Sequence, residues 1–299
     1  MLCSSYNARA RKRQRAWFMA LIDLHIHTTA SDGLSDPAVI VAQVLAAGIG
    51  TFAVTDHDTV AALAEVARLA SDAGVTFVPG IEITAVDRGK DVHVLGYFVD
   101  ASCPALLNAL QASRLDRLRR GRRMCEKLTA AGAPMDFDAL FGDDRLVHSS
   151  GPVISRPLVA DALVRAGHVA TRQEAFDRFL ADGQPGYVPR VGLSPVEVVG
   201  LIQSAGGLAA LAHPGVIGRD DLIGPLADQG LDALECFHSD HTPAVTDTYL
   251  ALASRYGLAV TGGSDFHGAG TRRSDFFGRI SLPREHYAAL AARHDAPRV

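Results

Sequence analysis

Residues 21–27 read Leu-Ile-Asp-Leu-His-Ile-His, and residues 51–57 read Thr-Phe-Ala-Val-Thr-Asp-His. Each is a short apolar run that stops at side chains able to bind a metal or move a proton. The form recurs along the chain, at Leu21–His25, Thr51–Asp56, Thr76–Glu82, Val92–Phe98, Leu208–His213, Leu231–Phe237 and Leu258–Ser264. Most of these runs are near-continuously apolar and do not alternate. That is the pattern of strands buried on both faces, in a parallel sheet covered by helices.

Helical patterns separate several of the runs. Pro37–Ala47 has proline in its first turn, Asp36 placed as a cap and Gly48 as a stop. Val60–Ala73, Pro195–Ala205, Asp220–Gln229 and Pro243–Tyr256 behave likewise. Strand then helix, repeated, with reactive residue types at the strand C-termini, indicates an α/β fold of the (β/α) barrel kind. Residues 101–190 break this rhythm. They hold one long Arg-rich helical pattern, Ala105–Ala131, and shorter ones at Arg156–Ala166 and Arg172–Ala181, with no run of the strand type. The reading is a discontinuous catalytic barrel, residues 19–100 and 191–299, with a helical insertion lobe at 101–190.

Bulk properties fit this scheme. The chain has 299 residues, 48% of them hydrophobic, enough for a barrel plus an insertion. A net charge of -4 gives no global positive field for long nucleic acid. Four scattered cysteines, Cys3, Cys103, Cys125 and Cys236, form no CxxC pair and read as reduced thiols of a cytoplasmic protein. No stretch reaches the ~18 uninterrupted apolar residues of a membrane helix. The basic run Arg9–Arg15 lacks the apolar core of about 7–15 residues that a signal peptide needs. Residues 1–18 read as a disordered extension, with Met19 as an alternative start.

The strand ends carry the chemistry. His25 and His27, at i and i+2 on a strand, point to one face, where imidazoles can share a divalent metal. Alone the pair is weak, because such pairs arise by chance. In Ser31-Asp32-Gly33, Gly33 suits a turn with positive φ and Asp32 is a hard oxygen donor, although an ordinary Asx turn has the same sequence. His57 stands in Thr55-Asp56-His57-Asp58, which ends an apolar strand. Glu82 ends Gly80-Ile81-Glu82, and a buried strand that ends in a carboxylate needs a partner for its charge. His93 begins the fourth strand, His213 ends Leu211-Ala212-His213, and Asp265 and His267 repeat the i, i+2 spacing. Seven such motifs at successive strand ends point to a multi-metal site.

Taken in order, HxH, SDG, TDH, GIE, the lone His93, AHPG and SDFH resemble the PHP superfamily, named for polymerase and histidinol phosphatase. The resemblance covers about residues 20–100 and 190–270. It implies a distorted (β/α)7 barrel, the PHP fold, with two or three divalent metals per chain, manganese ahead of iron or zinc. It places one metal on His25, His27, Glu82 and Asp265, a second on Glu82, His93 and His213, and a third on Asp32, His57 and His267. Glu82 then bridges two metals and holds the hydroxide that attacks phosphorus.

Within the superfamily the layout is similar to the TrpH-like phosphoesterases, among them the nucleoside 3′,5′-bisphosphate phosphatases. Ile154-Ser155-Arg156-Pro157 resembles the segment that brings an arginine to a substrate phosphate. Glu235-Cys-Phe-His238-Ser-Asp-His241 resembles the segment with a histidine facing the substrate. The resemblance therefore implies His238 in catalysis, and Arg156, His238, His241 and Lys90 as substrate contacts. The implied enzyme is a phosphoric monoester hydrolase that converts a nucleoside 3′,5′-bisphosphate such as pAp to the 5′-monophosphate plus phosphate. Alternatives are a 5′-3′ exonuclease on short 5′-phosphorylated RNA, a 5′-nucleotidase, a histidinol-phosphate phosphatase and a non-catalytic, metal-stabilised regulatory module. The expected partner is a small-molecule nucleotide or short RNA, with no membrane and no obligate protein partner.

Overall fold

The structure is a computed structural model that describes residues 21–141 and 154–297. The extension 1–18 and Met19 lie outside the described residues. Seven strands form one sheet in chain order: β1 (Leu21–Asp23), β2 (Ile49–Val54), β3 (Thr76–Asp87), β4 (Lys90–Tyr97), β5 (Leu208–Leu211), β6 (Ala233–His238) and β7 (Ala259–Gly263). The two edges meet through backbone bonds. Leu24 N donates to Gly262 O (3.1 Å), Asp265 N to His25 O (2.9 Å) and His27 N to Phe266 O (2.9 Å). Asp23 reinforces this seam, its carboxylate accepting from Ser264 N (2.9 Å) and Ser264 Oγ (2.6 Å). The result is a nearly closed seven-stranded α/β barrel. Across its interior, Thr261 Oγ1 donates to the Tyr97 hydroxyl at 2.9 Å.

The expectation of an all-parallel sheet fails at β4, which runs antiparallel to both β3 and β5. The cause is a two-residue hairpin. Asp87 pairs with Lys90, and between them Arg88 and Gly89 both take positive φ, 49° and 77°. This is the turn geometry that joins antiparallel strands tightly. The reversal brings the start of β4, and so His93, to the barrel end where the other strands finish. Glu82 also does not end its strand. β3 pairs with β2 over Thr76–Pro79, then continues through Glu82 to Asp87 beside β4.

Local sequence explains the helices around the barrel. Asp36 Oδ1 accepts from Val39 N (2.9 Å) to cap Pro37–Ala46, and Gly48 follows with φ 73°. Ser194 and Glu197 form a reciprocal capping box for Pro195–Ser204. Described residues between 101 and 190 are helical or loop. The stretch Arg172–Ala175 continues as a π-helical turn, Phe176–Leu180, where a plain α-helix is expected. No helix among the described residues is long and apolar enough to cross a membrane.

The described residues form two apolar cores. The main one fills and surrounds the barrel, with Phe52, Ile81 and Leu95 fully buried. The second gathers Met124, Leu128, Phe137, Ile154, Leu163 and Phe179. Helix Pro104–Ala130 belongs to both. Leu106 and Leu110 pack into the barrel core, whereas Met124, Cys125 and Leu128 pack into the second.

Candidate metal centre

Glu82 lies at the centre, 1% exposed. Its Oε2 is 3.1 Å from His25 Nε2, 3.2 Å from His27 Nε2 and 3.3 Å from His57 Nδ1. Its Oε1 is 2.8 Å from His93 Nδ1 and 3.1 Å from His213 Nε2. Asp265 supplies the second buried carboxylate, with Oδ1 3.1 Å from His27 Nε2 and 3.3 Å from His267 Nδ1. Asp32, more than half exposed, reaches in from its loop, 3.3 Å from His267 and 3.9 Å from His57. All nine residues expected as ligands thus meet at one end of the barrel.

The donor set fits divalent cations. His25 Nε2 and His27 Nε2 face each other at 3.1 Å, an arrangement that a cation between the lone pairs would satisfy. Among the described residues, buried Nδ1 atoms of His27, His57, His93 and His213, and Asp265 Oδ1, have no hydrogen-bond partner. Four groups hold their donor atoms within 4.8 Å of one another: His27-Asp32-His57-His267, His25-His27-Glu82, His57-Glu82-His93 and His25-His238-Asp265. Burial disfavours charge on Glu82, yet the surrounding His57, His93 and His25 hold it well below the usual carboxylate range. Burial likewise opposes protonation of His27, but the Asp265 and Glu82 carboxylates beside it prevail and push it up to about 10. The cavity thus holds two ionised carboxylates and attracts positive charge, whether protons or metal.

Outer contacts fix the ligands. Glu235, completely buried in β6, accepts from His25 Nδ1 at 2.9 Å and from His213 N at 2.6 Å. This leaves the Nε2 lone pair of His25 turned toward Glu82. His267 Nδ1 donates to the Asp265 carbonyl at 2.9 Å. Asp56 accepts from Thr28 N, Thr28 Oγ1 and Ser31 Oγ, which ties the loop carrying Asp32 to β2. Asp58 receives Thr84 N (2.9 Å) and the Arg117 guanidinium from the long helix, with Arg190 at 3.6 Å. Three non-glycine residues here take left-handed backbone: Asp58 (φ 52°), His213 (φ 26°) and Asp265 (φ 54°). Such strain persists only where surrounding contacts over-determine it.

The four expected substrate contacts have other partners or none in the structure. His238 is buried behind Asp265. Its Nδ1 accepts from Asp240 N (3.1 Å), so its Nε2 proton is donated to Asp265 Oδ2 (3.2 Å). His241 also has both ring nitrogens engaged, Nδ1 donating to Cys236 O (2.8 Å) and Nε2 accepting from Gly215 N (3.2 Å). Lys90 is exposed beside the β3–β4 turn, its side chain without a hydrogen bond or ion pair among the described residues. Arg156 opens its helix but turns to Asp182 (3.2 Å) and the Tyr187 ring. Gly33 departs from its expected positive φ. It is needed because a Cβ there would come within 2.6 Å of the His27 carbonyl oxygen.

Sequence reasoning missed Glu235, Asp58, Arg117 and Arg190, and it missed Arg273, whose guanidinium pairs with Asp265 and, at 2.7 Å, with Asp240. Glu235 and Asp58 had local signals, the first a carboxylate in the middle of the apolar run Leu231–Phe237 and the second the last residue of Thr55-Asp56-His57-Asp58. The others are brought in by long-range packing.

The PHP domain family matches residues 23–179 of this chain. A 3′,5′-nucleoside bisphosphate phosphatase of Chromobacterium violaceum is 35% identical over 270 residues, 89% of this chain and 93% of the relative. The 5′-3′ exoribonuclease Rnm of Salmonella typhimurium is 34% identical over 260 residues, 84% of this chain and 86% of that protein. Among solved structures, a Bifidobacterium adolescentis protein described as a metal-dependent phosphoesterase superposes with a TM-score of 0.78 at 33% identity. The match covers 91% of this chain and 96% of that one.

Proposed function

The chain belongs to the PHP domain family and is a phosphoesterase, and on that premise we propose that it removes the 3′ phosphate from nucleoside 3′,5′-bisphosphates in the cytoplasm. The observation that carries this reading is the convergence of six histidines and three carboxylates around Glu82, at the edge of a cavity rich in arginine. We assign the ligand sets as His25, His27, Glu82 and Asp265; Glu82, His93 and His213; and Asp32, His57 and His267. Manganese suits such mixed imidazole and carboxylate donors. Divalent cations bound there would polarise a phosphoryl oxygen and lower the pKa of water.

The chain's own residues do the rest. Glu82, with a histidine on every side, holds two ligand sets together. Asp265 is oriented by His238 from one side and Arg273 from another, so His238 is a positioning residue. Glu235 fixes the ring of His25 and the backbone of His213. Asp32, the most exposed of the nine, borders the cavity from which substrate enters.

A second reading, stepwise removal of 5′ nucleotides from short RNA, is favoured by the resemblance to the Salmonella typhimurium enzyme. It is also favoured by a cavity of about 620 Å³ lined by Arg119, Arg122 and Arg123 on the long helix, with Phe137 beside them. An assay with Mn²⁺ that reads both inorganic phosphate and released nucleotide separates the two. The first reading expects pAp to give AMP and phosphate at a higher kcat/KM than any 5′-phosphorylated dinucleotide or trinucleotide. Inert pAp together with nucleotide release from the oligomers would replace it with the second.

A further inference from the structure

The assigned ligands are not equally braced. Glu235 orients the ring of His25, and the Asp265 carbonyl orients that of His267. The ring of His57 lacks such support. Among the described residues its Nδ1 has no hydrogen-bond partner, and its Nε2 stands 3.9 Å from Asp32. The backbone must therefore place His57. It forms a bridge with Glu82, in which Glu82 N donates to Asp56 O at 3.2 Å and Asp58 N donates to Glu82 O at 2.8 Å. Asp58 then takes left-handed backbone, φ 52°, and its carboxylate holds it there.

That carboxylate is the hub of a buried clasp. Its Oδ1 accepts from Thr84 N at 2.9 Å, and its Oδ2 accepts from Thr84 Oγ1 at 3.2 Å and from the Arg117 guanidinium. Arg117 also donates to Thr84 Oγ1 at 3.1 Å. Arg190 lies 3.6 Å from Asp58 and donates to Asp91 at 3.0 Å. The side chains of Arg117 and Asp58 are 8% and 4% exposed, so salt and water screen their attraction little. Both arginines belong to the helical insertion. Arg117 stands in the middle of helix Pro104–Ala130, and Arg190 stands where the chain returns to the barrel. The barrel supplies the ligand, and the insertion supplies the cations that fix the residue after it.

We propose that Arg117 and Arg190 are positioning residues for the ion held by Asp32, His57 and His267. Acting through Asp58, they fix the backbone that aims His57, so the helical insertion sets how tightly that ion binds. Glu82 and His93 depend less on the clasp, because the β3–β4 pairing runs unbroken from Gly80 and Tyr97 to Asp87 and Lys90 and holds both. The assignment rests on the ligand sets given above and is independent of which phosphate ester is cleaved.

The test titrates Mn²⁺ into the full-length, metal-free chain by calorimetry, with elemental analysis to count bound ions. His57→Ala identifies the ion in question by its loss. Arg117→Met should weaken that same ion by about tenfold or more, the scale of a lost outer contact, and leave the others nearly unchanged. Arg190→Met should act in the same direction, and it keeps the test open should Arg117→Met fail to fold. Arg117→Lys, which retains the charge, should recover part of the loss. Excess Mn²⁺ should restore kcat in Arg117→Met with KM unchanged, on pAp or on a 5′-phosphorylated dinucleotide, whichever is turned over. Unaltered Mn²⁺ affinity in both methionine variants overturns the proposal. So does an equal loss at every ion, which marks a general loosening of the barrel, and so does a raised KM at saturating Mn²⁺, which would make Arg117 a substrate contact. His57→Ala with every ion still in place would instead refute the ligand set itself.

Discussion

At the scale of single residues, the centre depends on Glu82, which serves two of the assigned ligand sets. Glu82→Gln keeps the shape and removes the charge. Turnover should fall by well over the about 10–100-fold typical of outer contacts, with bound metal falling in elemental analysis. Glu235→Gln tests the outer contact: metal affinity by isothermal titration should drop by about 10–100-fold while the thermal transition of the metal-free protein moves little. Gly263 shows how tightly the seam is built. A Cβ there would meet His25 N at 2.3 Å and Asp23 Oδ1 at 2.7 Å. Gly263→Ala should cost about 1–3 kcal/mol, read from the urea midpoint, because β1 and β7 must separate to admit a methyl group. The sequence displayed most of the candidate ligands because they stand near the ends of apolar runs. It concealed the hydrogen-bond partners of His238 and His241, because a ring that bonds backbone or a neighbouring carboxylate has the same letter as one that faces substrate.

Elements show where a one-dimensional reading loses information. Apolar continuity marked all seven strands, since a strand buried on both faces looks the same in either direction. Direction is set by the connection, and the β3–β4 turn uses Arg88 at φ 49°, which no residue preference would suggest. The long helix Pro104–Ala130 was legible as a helix, but its link to the metal centre was not. Arg117 reaches Asp58, the neighbour of His57, across 59 positions of sequence. Burial raises the cost of charge on Asp58, but Arg117 and then Arg190 outweigh it and hold its pKa below 3.8. A depressed folded-state pKa contributes stability above the unfolded value and loses it as pH falls through the folded one. Arg117→Met should therefore destabilise by about 3 kcal/mol at neutral pH, the low end for a broken buried pair, since Arg190 remains. The gap from wild type, measured by denaturant unfolding, should narrow as pH drops below 4. A gap independent of pH would mean that Arg117 acts through packing alone.

For the whole molecule, the two buried carboxylates and their histidines make metal binding part of stability. Metal at about 1,000 times its dissociation constant should add about 4 kcal/mol, so chelation should lower the thermal midpoint and re-addition of Mn²⁺ should restore it. An unchanged midpoint would argue against the ligand sets assigned to Glu82.

Helix Pro104–Ala130 has one end in each apolar core, and this bears on how such a protein can be rebuilt. A lobe exchanged between relatives at the loops flanking residues 101–190 would bring a foreign Leu106 and Leu110 face into the barrel. A graft cut inside the helix, ahead of Gly121, would leave the barrel its native half. There is little room at that junction, since a Cβ on Gly121 would meet Ile154 at 2.6 Å and Phe137 at 2.9 Å. The helix is therefore both the link between the cores and the splice site, and recombination that respects its two halves can exchange the lobe while the metal end of the barrel keeps its own inheritance.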